Sequence, residues 1–319
     1  MLSLTYEDRK GGLVLRESDI IIVGAGTAGL TAAMYGARAG MKVLVIEEAM
    51  PGGQIIATSQ VDNYPGLYQI AGTEYAMRLD EQAQALGAEI IYDTVVSAKL
   101  DGKIKEVTGE TDVYQGSAVI VANGLKHRHL GCPGEEEFSG AGVSYCATCD
   151  GAMYRNKEVA LVGGGNTALE DALFLADLCS KVYLIHRRDQ FRGQQQTVAM
   201  VEKKENIHIL YSSQVTAITG TNKVEAIEVT NKETGATEQL AVSGIFVAVG
   251  FEPPKAFYGD QIQVAPEGYI MAGEDCHTNV PGVYAAGDIR TKIWRQLVTA
   301  AGDGAVAGSE AADYIRKNR

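Results

Sequence analysis

One device occurs twice in this chain, and its recurrence limits the fold more than any other feature. Asp19-Ile20-Ile21-Ile22-Val23 is a continuous apolar run, the mark of a strand buried on both faces of a parallel sheet. It leads into Gly24-Ala25-Gly26-Thr27-Ala28-Gly29, then a small-residue helical stretch to Gly40, then a second apolar strand, Lys42 to Ile46, ending at Glu47. The same order returns in Glu158-Val159-Ala160-Leu161-Val162, Gly163-Gly164-Gly165-Asn166-Thr167-Ala168, a helix and the strand Lys181 to Ile185. A strand–glycine turn–helix–strand unit is a dinucleotide fingerprint. The first glycine permits the tight turn, and the second lets backbone approach a pyrophosphate at the helix N-terminus, where free N–H groups favour anions. One copy alone is a weak signal; two in the same context are a strong one.

The copies differ in charge at one position. Glu47 follows Gly24 by the same interval as His186 follows Gly163, so the first unit ends in a carboxylate and the second in His186-Arg187-Arg188, with Arg192 close behind. A carboxylate suits a free ribose 2′-hydroxyl and repels a 2′-phosphate, whereas arginine does the reverse. The first site is therefore expected to hold an adenine dinucleotide with a free 2′-hydroxyl, such as FAD, and the second NADPH in preference to NADH. Ala118 to Gly124 and Ile245 to Gly250 are matching apolar strands ending in glycine. They read as paired crossings, with the second unit inserted into the first: residues 1–125 and 250–319 form one domain and 126–249 the other.

At 319 residues, two domains are the ordinary expectation. Glycine numbers 37 against about 22 expected from average usage, which fits many close backbone approaches to bound groups. A net charge of −12 argues against a nucleic-acid surface. No basic start followed by an apolar stretch opens the chain, and no run of about 18 apolar residues occurs, so neither a signal peptide nor a membrane span is expected. The expected location is the cytoplasm.

Five cysteines are an odd number, unlike a secreted disulfide framework. Cys146-Ala147-Thr148-Cys149-Asp150 has the spacing of a reversible disulfide, with one thiol acidified as nucleophile and Asp150 placed to move a proton. The competing reading is half of a zinc site, but Cys132, Cys179 and Cys276 are isolated and supply no second pair. No metal is expected. Cys179 reads as helix core, His208 as the outward residue of a strand, and Lys126-His127-Arg128-His129 as a solvated linker.

Together these motifs resemble the low-molecular-weight, bacterial-type thioredoxin reductases. The carriers are Gly24–Gly29, Pro51-Gly52-Gly53-Gln54, Asn63-Tyr64-Pro65-Gly66, Cys146–Asp150, Gly163–Ala168, His186–Arg192, and Gly287-Asp288 through Arg295-Gln296-Leu297 to Gly304. The resemblance implies an α/β fold of two Rossmann-like, three-layer ββα domains, the NADPH domain inserted into the FAD domain. It implies FAD on Gly24, Gly26, Thr27, Ala28, Gly29, Glu47, Gly53, Gln54, Asn63, Gly287, Asp288, Arg295, Gln296 and Leu297. It implies NADPH on Gly163, Gly165, Asn166, Thr167, Ala168, His186, Arg187, Arg188 and Arg192. Electrons would pass from NADPH through FAD to the Cys146–Cys149 disulfide and on to thioredoxin. Cys149 would face the flavin, Cys146 would attack thioredoxin, and Asp150 would act as general acid. A homodimer and a rotating inserted domain, hinged near Gly124 and Gly250, are implied as well. Alternatives keep the disulfide chemistry with ferredoxin or another flavin as donor, or with a peroxiredoxin- or glutaredoxin-like acceptor.

The chain departs from the family pattern at four places: Thr27 for Pro, Asn123 for Thr, Phe251-Glu252-Pro253-Pro254 for a Pro-Asn ending, and Trp294 for Tyr. An N-terminal extension of about ten residues has no assigned role.

Overall fold

A computed structural model describes residues 9–10, 13–58, 60–254 and 257–319, so nearly all of the N-terminal extension lies outside the described residues. The chain divides into two compact units, one running through Lys126 and resuming at Glu252, the other spanning His127–Phe251.

The first unit is built on a five-stranded sheet in the order Val283–Ala285, Ala118–Val121, Ile20–Val23, Val43–Glu47, Glu89–Tyr92, all parallel. Alternation splits each strand between two cores. Ile20 and Ile22 pack with the helices, while Ile21 and Val23 pack with Val107 and Tyr114 of a second, mostly antiparallel sheet. This is why the strands read as unbroken apolar runs. On the helical side, Thr27–Arg38 lies against the C-terminal helix Leu297–Asn318. A Cβ on Gly304 would reach within 2.8 Å of Thr31 Cβ, and one on Gly308 within 3.1 Å of Ala32 Cα. Only hydrogen fits at those two positions, which brings the helices close enough to bury the alanines between them.

The inserted unit repeats the plan. Val143–Ser144, Ile245–Ala248, Glu158–Gly163, Lys181–Ile185 and Ile207–Leu210 form a parallel sheet in that order. Val159 and Leu161 pack under the helix Asn166–Leu178, whereas Ala160 and Val162 face the antiparallel strands Ser213–Gly220 and Val224–Asn231. Cys179 is buried at the end of that helix, and His208 is exposed on its strand. The crossings Lys126–His127 and Phe251–Glu252 pair as a two-stranded sheet. No described helix is long and apolar enough to cross a membrane.

Candidate active site

In the first unit the fingerprint loop sits at the carboxyl ends of the parallel strands. Gly24 has φ 101, and a Cβ there would lie 2.6 Å from Ala122 O, so no other residue fits this turn. Gly26 caps the helix Thr27–Arg38, and a Cβ added to it would meet no atom nearer than 4.0 Å, which leaves space in front of the free N–H groups. Ala28 and Gly29 lie in its first turn, and Gly29 packs on Gly24 O. Glu47 ends the adjacent strand, and its carboxylate accepts from Ala25 N at 2.6 Å and Ala49 N at 3.0 Å. Gly53 stands over Gly26, Gln54 donates to Leu125 O at 2.8 Å, and Asn63 donates to Gln296 Oε1 at 3.2 Å. Gln296 in turn caps the C-terminal helix that begins at Leu297.

Gly287, with φ 80, turns the chain from the edge strand Val283–Ala285 toward Asp288. Asp288 Oδ1 is buried and has no partner among the described residues, and the same holds for Asn123 Oδ1. Buried polar atoms are ordinarily paired, so these two are free to take a polar ligand or water. Burial pushes the Asp288 acid up, opposed by Lys292 and Arg295. Arg295 stacks 4.0 Å over the Tyr269 ring and donates to the carbonyls of Asp288, Arg290 and Lys292.

An ion cluster that no sequence motif announces holds this turn. Asp303 accepts from Arg290 at 2.7 and 2.8 Å, from Lys292 at 2.8 Å and from Gly287 N at 2.9 Å, all of it buried. Burial alone would raise the Asp303 acid, but the bonds from Arg290 and Lys292 outweigh it and hold it below the ordinary carboxylate range. Removing one partner would strand a buried charge, which typically costs about 3–5 kcal/mol.

In the inserted unit, Gly165 leaves open space before the helix Asn166–Leu178, and Ala168 packs tightly on Gly163. Thr167 lies in the first turn and is exposed. Asn166 Oδ1 accepts from Gln194 N at 2.7 Å, and Arg192 N donates to Gly164 O at 2.8 Å, so the basic loop folds back onto the fingerprint. Arg187, Arg188 and Arg192 are exposed and form no ion pair among the described residues. His186 differs from them. Its ring is buried against Gly164, where a side chain could not coexist with it, and Nε2 meets Gln190 O at 3.0 Å. Burial holds its imidazole below the ordinary histidine range, and the ring shapes the loop from inside.

Cys146 and Cys149 are joined as a disulfide. Cys146 caps the helical turn Ala147–Asp150: its Sγ accepts from Cys149 N at 3.2 Å and lies 3.4 Å from Thr148 Oγ1. Donors aimed at a sulfur favour its thiolate. Asp150 Oδ2 accepts from Ser144 Oγ at 2.6 Å.

The expectation of a solvated linker at residues 126–129 holds for Lys126, Arg128 and His129, which are exposed, but not for His127. His127 is half-buried with its ring 4.6 Å from Phe251 and 5.3 Å from Tyr145, and His129 Nδ1 lies 2.7 Å from Tyr145 Oη. Tyr145 also donates to the buried Glu135. Phe251 supplies an aromatic face that composition around the histidines did not reveal.

A family model described as pyridine nucleotide-disulphide oxidoreductase matches residues 18–304. A thioredoxin reductase of Peptoclostridium acidaminophilum is 43% identical over 307 residues, spanning 94% of this chain and 98% of that one. Lactococcus lactis thioredoxin reductase, a solved structure, superposes with a TM-score of 0.86 at 40% identity, covering 94% of this chain and 99% of that one. The T. acidophilum thioredoxin reductase structure gives 0.83 at 34% identity over 93% and 98%.

Proposed function

This chain belongs to the pyridine nucleotide-disulphide oxidoreductase family, and within it we propose a thioredoxin-disulfide reductase that depends on FAD and NADPH. The observation that carries this reading is the Cys146–Cys149 disulfide, carried on the same unit as an open dinucleotide loop whose three arginines form no ion pair among the described residues. The relatives and solved structures bearing that activity in their names match nearly the whole chain.

The residues of the first unit fit FAD. Glu47 takes the ribose hydroxyls, Gly24, Gly26, Thr27, Ala28 and Gly29 take the pyrophosphate, and the orphan oxygen of Asp288 takes the ribityl–pyrophosphate region. Gly53, Gln54, Asn63, Arg295, Gln296 and Leu297 surround the remainder. In the inserted unit, Arg187, Arg188 and Arg192 take the 2′-phosphate and Gly163, Gly165, Asn166, Thr167 and Ala168 the pyrophosphate, with His186 supporting the loop from inside. Bound FAD and NADPH supply the electron pair that opens the disulfide.

Once open, the chain's own groups do the exchange. The Cys146 thiolate, favoured by the Cys149 N–H, attacks one sulfur of the thioredoxin disulfide; a Cys146–thioredoxin bond forms and the other thioredoxin sulfur leaves as thiolate. Asp150 supplies its proton. Cys149 then attacks Cys146, re-forming the internal disulfide and releasing the second thioredoxin sulfur. In this reading the enzyme works in the cytoplasm as a homodimer. Ferredoxin as donor is disfavoured, because it would leave the three arginines without an anion.

Anaerobic titration of the purified flavoprotein tests this. NADPH is expected to bleach the flavin band at far lower concentration than NADH. Replacing Arg187, Arg188 and Arg192 with alanine should erase that preference, since each charge-assisted bond is worth about 1.5–3 kcal/mol. Bleaching by neither nucleotide, with thioredoxin left oxidised, overturns the reading.

A further inference from the structure

Ser144 is the buried end of the edge strand Val143–Ser144, held in parallel register against Ile245–Phe246. Its hydroxyl lies 2.6 Å from Asp150 Oδ2 and 3.3 Å from the Cys146 carbonyl oxygen, and it accepts the Cys146 N–H at 3.1 Å. We infer that Ser144 is a positioning residue that couples the protonation of Asp150 to the backbone of Cys146. The inference rests on the proposed role of Asp150 as proton donor.

Donor and acceptor capacity carries the coupling. A serine hydroxyl has one hydrogen and two lone-pair sites. With Asp150 ionised, the hydrogen points at the carboxylate, the shorter and charge-assisted contact, and the Cys146 N–H fills one lone pair. With Asp150 protonated, the acid's own O–H donates to Ser144 Oγ. The serine hydrogen then turns to the Cys146 carbonyl oxygen, and both lone pairs are filled, by Asp150 and by the Cys146 N–H. Ser144 neither gains nor loses a proton; its hydroxyl rotates. The two arrangements hold the Cys146 peptide differently, from its N–H alone or from both its N–H and its carbonyl. Cys146 is the cap of the turn that bears both sulfurs, so the state of the acid reaches the nucleophile through one side chain.

A serine whose hydroxyl accepts the N–H two residues on is also an ordinary turn former, and the experiment separates the two roles. Reoxidation of the reduced holoenzyme by oxidised thioredoxin is followed by stopped flow over a range of pH for wild type, Ser144→Ala, Asp150→Asn and the double variant. Ser144→Ala is expected to slow the step roughly tenfold, the scale of one hydrogen bond to a charged group. The double variant should match Asp150→Asn, and the pH-dependent limb should be absent from both. Ser144→Thr, which keeps the hydroxyl and suits a strand, should recover most of the rate. Effects that multiply in the double variant, with Asp150→Asn slow on its own, overturn the coupling and leave the acid role standing. Asp150→Asn at the wild-type rate overturns the acid role and the coupling with it. Failure of Ser144→Thr to restore the rate in a folded, yellow protein also overturns the coupling.

Discussion

Set fingerprint on fingerprint, the parallel sheets of the two units agree strand for strand and diverge in what hangs from the ends. In each, the glycine loop follows the central strand, and the strand beside it ends in Glu47 in one unit and in Ile185, followed by His186, in the other. The edge strand is the last strand of the first unit in sequence, whereas in the inserted unit it precedes the fingerprint. In the first unit the edge strand Val283–Ala285 runs into Gly287-Asp288, with an orphan oxygen. In the inserted unit Val143–Ser144 runs into Cys146. The carboxyl end of a parallel sheet is where ligands bind. On the proposed reading, one sheet fills that corner with a cofactor acceptor and the other with a redox pair.

The charge contrast at Glu47 and the arginine loop is the part of the comparison with the largest expected effect. On the proposed assignment, Glu47→Arg removes the acceptor for two ribose hydroxyls, each charge-assisted bond worth about 1.5–3 kcal/mol, so FAD affinity should fall by about 10²–10⁴. The flavin-to-protein absorbance ratio after desalting reads this directly. A variant that keeps stoichiometric flavin would break the reading of the two ends as acid for FAD and base for NADPH.

Much of this contrast is legible in the amino-acid sequence alone. The fingerprints, the matched crossing strands and the cysteine pair are local patterns, carried by backbone geometry that only certain residues permit, such as glycine at φ 101. What local pattern does not reveal is assembled from a distance. Asp303 meets Arg290 and Lys292 across a helix start and a turn, and no spacing rule connects them. Ser144 looks like any strand residue until the fold sets its hydroxyl against Asp150. His127 looks solvated because the rings that cover it, Tyr145 and Phe251, lie far along the sequence, Phe251 on the other crossing.

A second difference lies on the fingerprint helices themselves. Ala32 of the first helix is buried under Gly308 of the C-terminal helix, whereas the matching position of the second helix is Asp171. Burial, with the neighbouring Glu170 carboxylate, pushes its acid up to about 6. Below about pH 4 the group is protonated in folded and unfolded chain alike. From there to about 6 the folded chain keeps a proton that the unfolded chain has lost, so stability falls as pH rises, and above 6 the full cost remains. Asp171→Asn should therefore stabilise the protein at pH 8 by up to about 3 kcal/mol and change little near pH 4. Denaturant melts at the two values measure it. An equal shift at both would show that the asparagine acts by packing, and the contrast between the helices would then be one of shape alone.

The smallest effect concerns the matched crossings. Gly124 and Gly250 end equivalent strands with φ 60 and 96, and neither has an atom within 4 Å of a Cβ position. Space does not demand glycine there; only the backbone conformation does. Alanine at either costs about 1 kcal/mol through its φ preference, and a crossing that must change its torsions during turnover feels that cost in some states more than in others. Each single variant, Gly124→Ala and Gly250→Ala, should bind FAD as wild type does, because no cofactor-facing group changes, while kcat with thioredoxin falls by up to about fivefold, the rate equivalent of 1 kcal/mol. Gly40, which follows a helix at φ 83 with equally open surroundings, is the control: Gly40→Ala carries the same backbone cost in a place that no hinge uses. If it lowers kcat as much as the crossing variants do, the effect is general destabilisation. If only the crossings respond, the glycines serve turnover, and the paired strand ends are hinges as well as boundaries.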